Sequence, residues 1–241
     1  MDFDLHRGFN VISFCYSNHI FDSKVIHTLE ADGIQLSFSH RQVLSDIYIK
    51  CETGKVTGLL GRNGQGKSCL MQVIYGSLPL DIKSVRFDGK FVAKPLKRPD
   101  LLAYMPQFNF IPSKLTIARV FQDFELEFSD FESFFQFTTT SESRIGNLSG
   151  GQRRLIELYI IIKAKSLFAM LDEPFSHISP IQIEQVKQLI EEEKQNKGFL
   201  ITDHMFRHVA DIADCIYLLA NGKIHLTSSL DDLEYLGYAR F

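Results

Sequence analysis

The chain is 241 residues long, 45% hydrophobic and 23% charged, with a net charge of −3, a balance that supports a substantial core in one large domain or two small ones and excludes a surface built to coat a polyanion, so nucleic acid is not expected as the main partner. Cys15, Cys51, Cys69 and Cys215 show no CxxC spacing and no matching histidine cluster, which reads as reduced thiols of a cytosolic protein rather than a disulfide framework or a zinc site. No stretch approaches the ~18 to 20 apolar residues of a membrane helix, so any membrane role must be supplied by another chain.

Residues 1–28 carry no motif and are read as an extension, a short arm or a partly disordered segment; one domain is expected over 29–241. Gly33–Phe38 alternates apolar and polar residues with period two, and Val43–Ile49 and Lys55–Leu60 follow as strands separated by Thr53-Gly54. Cys69–Ile74 has helical character and ends near Gly76. Ser84–Asp88 and Leu101–Met105 read as further strands. Between 108 and 147 lie nine of the 21 phenylalanines, and Phe121, Phe124, Phe128, Phe131 and Phe135 recur at spacings of 3 and 4. That spacing puts them on one helical face, as one helix or as two short ones with Ser129 and Glu132 capping the second. The stripe reads as packing, with a ligand pocket or a docking face as alternatives.

Leu155, Leu158, Tyr159 and Ile162 mark another helix, Leu167–Leu171 a buried strand, Pro180–Gln195 a helix and Phe199–Thr202 a second buried strand. Asn221-Gly222 between Cys215–Ala220 and Lys223–Leu226 predicts a hairpin. A last helix is expected from Leu230 to about Leu236, capped by Ser228 or Ser229. Strands alternating with helices imply an α/β fold: a mostly parallel sheet flanked by helices, an antiparallel β layer beside it, and a helical subdomain inserted over 108–150.

Three motifs carry chemistry. Gly61-Arg62-Asn63-Gly64-Gln65-Gly66-Lys67-Ser68, between a strand and a helix, satisfies GxxxxGK[ST]. Gly61, Gly64 and Gly66 let backbone N–H groups face phosphate oxygens, Lys67 neutralises their charge, and the Ser68 hydroxyl suits Mg²⁺. Phe168-Ala169-Met170-Leu171-Asp172-Glu173 is an apolar strand ending in two acids, which places carboxylates at the ligand crevice of an open α/β sheet. Asp172 is the candidate Mg²⁺ holder and Glu173 the base that polarises water. Leu148-Ser149-Gly150-Gly151-Gln152 opens a helix, as an anion site or as an ordinary serine cap.

Taken together, these motifs resemble the ATP-binding cassette (ABC) ATPases, over about residues 29 to 228. The resemblance implies ATP and Mg²⁺ as cofactors, and a head-to-tail pair of cassettes, most simply a homodimer, in which Ser149, Gly150, Gly151 and Gln152 bind the γ-phosphate held by the other subunit. Asn63 and Cys69 belong to the nucleotide-binding loop by the same resemblance. Tyr104-Met105-Pro106-Gln107 looks like the family's Q-loop, with Gln107 addressing the metal and water, and Thr202-Asp203-His204 like its switch, with His204 at the γ-phosphate. Phe38 resembles the aromatic that stacks on adenine, although a core position is the alternative. One departure stands out: Phe175-Ser176-His177-Ile178-Ser179 ends in serine where the family has an acid that crosses to the partner site. Leu115-Thr116-Ile117 is similar to the family's transporter-facing region. The implied function is an ATP-hydrolysing subunit of a membrane transporter, held on the inner face of the cell membrane by integral subunits from separate chains. A soluble ABC ATPase of DNA maintenance or translation is the alternative.

Overall fold

The computed structural model describes residues 25–227 apart from His40 and Asp81; the expected 230–236 helix, its caps, and most of the N-terminal extension lie outside them. Two sheets form the frame. β1 (Thr28–Phe38), β2 (Arg41–Glu52), β4 (Ser84–Phe87) and β5 (Lys90–Phe91) make an antiparallel layer in the order β2-β1-β4-β5. The larger sheet runs β10-β9-β3-β8-β7-β6, built from β3 (Val56–Leu60), β6 (Leu102–Met105), β7 (Phe168–Asp172), β8 (Gly198–Thr202), β9 (Cys215–Ala220) and β10 (Lys223–Thr227). Its four partnerships from β6 to β9 are parallel, and β10 returns antiparallel through the Asn221-Gly222 turn.

The central strands β3, β7 and β8 are buried on both faces, which is why they read as continuous apolar runs. Alternate residues serve two cores: Val56, Leu60, Ala169, Leu171, Phe199 and Ile201 face one, while Leu59, Phe168, Met170 and Leu200 face the other. The second core also takes α1 (Lys67–Tyr75) and the antiparallel layer. The first takes α2 (Ile117–Asp123), α3 (Phe128–Phe135), α4 (Gly150–Lys163), α5 (Pro180–Glu193) and α6 (Phe206–Ile212).

The phenylalanine stripe resolves into the two-helix alternative. α2 ends at Asp123, Glu125 turns into the left-handed region at φ 54°, and α3 restarts at Phe128. Ser129 does not cap α3; the cap position is Glu127, whose side chain makes no capping bond, so the expected Ser129–Glu132 box is absent. The rings still form one cluster. Phe121 meets Phe128 and Phe131 at 5.3 Å, and Phe131 meets Tyr159 of α4 at 5.2 Å. Edge-to-face and tilted pairs of this kind add to apolar burial. Packing of the helices onto α4 therefore accounts for these rings. No helix among the described residues is long and apolar enough to cross a membrane.

Candidate functional site

β3 is buried along its whole length and delivers the chain into the loop that ends at Gly66. Gly66 sits at φ 102°, a left-handed conformation, and a Cβ there would lie 2.6 Å from Val43 Cγ1. Only glycine fits without displacing that valine. No side chain caps α1, so the N–H groups of its first turn remain directed at whatever occupies the cleft in front. Lys67 is nearly buried and donates to the Gly61 carbonyl at 2.6 Å and the Arg62 carbonyl at 3.3 Å. Burial holds its ammonium below the ordinary lysine value, opposed by the charges of Glu173, Asp172 and Asp203.

In front of this loop is a cleft of about 540 Å³ lined by Phe38, Arg41, Val43, Asn63, Gly64, Gly66, Lys67, Ser68, Cys69, Gln107 and Glu173. Asp172 closes it from behind. The Ser68 hydroxyl donates to Asp172 Oδ1 at 3.1 Å and the Tyr104 hydroxyl to Oδ2 at 3.2 Å. Burial raises the Asp172 carboxyl above its usual range, against those two hydrogen bonds. A carboxylate, a hydroxyl and a nearby amide form a hard oxygen set that suits magnesium, which keeps waters and phosphate oxygens as its other ligands. No group of three or more His, Cys, Asp or Glu able to hold a metal occurs among the described residues.

Glu173 occupies φ 54° and receives the Ser176 hydroxyl at 3.4 Å on Oε2. His204 Nδ1 lies 3.6 Å from the same oxygen and 3.3 Å from Asp203 Oδ1. Asp203 is fully buried and accepts the Phe175 and Met205 N–H groups, tying the segment after Glu173 to the one bearing His204. Burial raises its carboxyl too.

Ser149–Gln152 does not line the cleft. Ser149 caps α4, accepting the Gln152 N–H at 3.2 Å, while Gln152 Oε1 accepts the Ser149 N–H at 3.0 Å. Gln152 Nε2 donates to Thr139 Oγ1 at 3.1 Å. A Cβ on Gly151 would stand 2.8 Å from the His177 carbonyl oxygen.

The fold thus gathers Phe38, Asn63, Gly64, Gly66, Lys67, Ser68, Cys69, Gln107 and Glu173 on one cleft, backs it with Asp172, sets His204 beside Glu173, and leaves Ser149, Gly150, Gly151 and Gln152 elsewhere. Gly61 contributes its carbonyl to Lys67. Phe38 is 50% exposed, so its core alternative fails. Sequence reasoning missed Arg41, Val43, Tyr104 and Arg154. Arg154 stands in the polar first turns of α4, ahead of the apolar run, and is nonetheless buried to 3% exposure.

The family description "ABC transporter" matches residues 44–176. The lipopolysaccharide export system ATP-binding protein of Haemophilus influenzae is 27% identical over 83% of this chain and 90% of its own. An uncharacterized ABC transporter ATP-binding protein of Rhizobium meliloti is 29% identical over 86% of this chain and 82% of its own. Among solved structures, an ATP-binding subunit of an ABC transporter superposes with a TM-score of 0.74 at 21% identity, over 87% of this chain and 93% of that one. That likeness shows the fold.

Proposed function

Because the chain belongs to the ABC transporter family and is an ATP-hydrolysing, transport-powering subunit of that family, we propose that its cleft binds MgATP and hydrolyses it with Glu173 as the base. The carrying observation is that Lys67, Ser68, Gln107 and Glu173 line one cleft with Asp172 3.1 Å behind Ser68.

Each role follows from chemistry. Backbone N–H groups from Gly64 to Ser68 meet the phosphates, with the positive end of α1 behind them. Lys67 exchanges the Gly61 and Arg62 carbonyls for phosphate oxygens, a stronger, charge-assisted pairing. Bound magnesium would neutralise β- and γ-phosphate charge. Ser68 and Asp172 are the residues that would hold it, with Gln107 facing the same ion. Glu173 orients a water and takes its proton, a contribution of about 10² to 10⁴ in rate. His204, beside Glu173, reaches the γ-phosphate. Phe38 stacks on the adenine, worth about 1 to 3 kcal/mol in comparable settings.

Ser149, Gly150, Gly151 and Gln152 serve a second cassette, in a head-to-tail pair with two ATP molecules between subunits. That arrangement supplies a reason for an exposed Ser-Gly-Gly turn that does not line its own cleft. We take 29–241 as one domain with 108–150 as its helical subdomain, working at the cytoplasmic face against integral membrane subunits from other chains.

The test is Glu173→Gln. ATP affinity should stay within about twofold while turnover falls by about 10² or more, the pattern of a lost transition-state interaction. Wild-type turnover in that variant would overturn the assignment. Used as bait in solubilised native membranes with ATP, the same variant should recover a polytopic membrane protein; recovery of soluble factors alone would overturn the membrane-partner proposal.

A further inference from the structure

Two charged residues of α4, Arg154 and Glu157, are buried and a third, Arg153, is partly so, and their hydrogen bonds are to main-chain groups. Arg154 Nη1 donates to the Pro106 carbonyl at 3.0 Å, and Nη2 to the carbonyls of Asp172 and Glu173, both at 2.8 Å. Glu157 is fully buried and its Oε1 accepts the Phe110 and Ile111 N–H groups at 3.0 and 3.3 Å. Arg153 donates to the Ile111 carbonyl. Ion pairs join them: Arg153 Nε to Glu157 Oε1 at 3.5 Å and Arg154 Nη1 to Glu157 Oε2 at 3.9 Å.

As a device for stability alone this is a poor solution. Arg153 Nε, Arg154 Nε and Glu157 Oε2 are buried with no hydrogen-bond partner among the described residues. Buried ions of this kind are often replaceable by well-packed apolar side chains without loss. Leu155, Ile156 and Leu158 on the same helix are such side chains. What the charges achieve is placement. The stretch 106–111 belongs to no helix or strand, so its backbone groups need partners from elsewhere. It contains Gln107. The other bonds of Arg154 end on Asp172 and on Glu173, a non-glycine residue held at φ 54°. Such a conformation persists only where the surroundings over-determine it.

We propose that buried Arg154 and Glu157, with partly buried Arg153 beside them, form a latch that positions Gln107 and Glu173 together for hydrolysis, and so ties both to the helix that begins with Ser149–Gln152. The proposal rests on the hydrolytic reading of the cleft given above. Arg154 and Glu157 act through backbone and are positioning residues. Because α4 starts at the turn expected to meet the phosphate of a second cassette, a shift of this helix moves the carboxylate end of β7 and the Gln107 segment as one body.

The experiment measures steady-state ATP turnover, nucleotide binding and thermal midpoint of the full chain in four variants. Arg154→Lys keeps the charge but cannot reach three carbonyls; Arg154→Met removes it. Glu157→Gln keeps an acceptor for both N–H groups; Glu157→Leu removes it. Both Arg154 variants and Glu157→Leu should lose about 10- to 100-fold in kcat, the scale of an ångström-level misplacement. Their KM for ATP should stay within about twofold, and Glu157→Gln should retain kcat within about threefold. Where Arg154→Met or Glu157→Leu does not fold, Arg154→Lys against Glu157→Gln carries the comparison. A folded Arg154→Lys with wild-type kcat overturns the latch. So does a loss in kcat matched by equal losses in nucleotide affinity and thermal midpoint, the mark of a merely structural role. Glu173→Gln in the same assay separates the two claims. If it is inactive while Arg154→Lys is wild-type, only the latch fails; if it turns over normally, the reading of the cleft fails.

Discussion

Helices α1 and α4 both begin at small residues, yet their first turns are finished in opposite ways. Gly66 offers α1 no side chain, and its N-terminal N–H groups face the cleft. Ser149 and Gln152 close α4 with a reciprocal capping box, and Ser179 and Gln182 close α5 with the same device. An uncapped helix start is tolerated where a ligand completes it, and a capped one is complete in itself. The Ser-x-x-Gln pattern is therefore not a ligand signature in this molecule, since α5 has it as well. What sets α4 apart is Gly150-Gly151, where the missing Cβ lets the turn pass against the His177 carbonyl. The cap also leaves chemistry available: Ser149 Oγ uses a lone pair on the Gln152 N–H, and its own O–H can still donate to a phosphate oxygen.

The harshest way to break this comparison is to fill the open start. Gly66→Ala forces a side chain into the left-handed region, at ~1–2 kcal/mol, and crowds Val43, at ~1–3 kcal/mol for overpacking. ATP affinity should fall by about 100-fold, measured by equilibrium binding. Retained affinity would mean that the first turn of α1 does not hold the phosphates. Gly151→Ala sharpens the contrast. Its Cβ meets a backbone oxygen 2.8 Å away, at a position that does not line the cleft. Single-cassette ATP binding should stay within about twofold while turnover drops by about tenfold or more. If binding fell as it does in Gly66→Ala, the two regions would not be separate.

Much of the frame was legible because its signals are local. Central strands buried on both faces appear as short apolar runs between turn residues, and Asn221-Gly222 announces its hairpin. The phosphate loop, the Asp172-Glu173 pair and the Ser149–Gln152 turn are contiguous, so each could be read where it stands. What escaped depends on distance or on weak local pattern. α6 has seven residues and a single buried one, Val209, which leaves no periodicity to detect. The stripe from Phe121 to Phe135 keeps its spacing across a break at Glu125, since a left-handed residue interrupts the helix without removing the rings from one cluster. Arg41 and Val43 reach the cleft through the antiparallel layer. Arg154 finds its partners on main-chain carbonyls from two remote segments, and main chain has no sequence pattern to match.

The smallest effect concerns the capped pair, and Ser179 decides it. The departure from the family acid at this position is also a conventional helix cap: Ser179 Oγ accepts the Gln182 N–H at 3.4 Å, and Gln182 Oε1 accepts the Ser179 N–H at 2.9 Å. Ser179→Ala should remove the cap for ~1 kcal/mol, a fall of about 2 to 4 °C in thermal midpoint for a chain of this size. Aspartate caps as well as serine and adds favourable charge at a helix N-terminus, so Ser179→Asp should hold stability within about 0.5 kcal/mol. It also restores the acid that the resemblance places across the pair. The two variants therefore part the roles of one position. A steeper dependence of turnover on ATP concentration in Ser179→Asp, at unchanged thermal midpoint, would show that the chain gave up inter-site coupling while keeping its cap. Identical steepness in Ser179→Asp and wild type would make this serine a cap alone, equivalent to Ser149 in structure but not in reach.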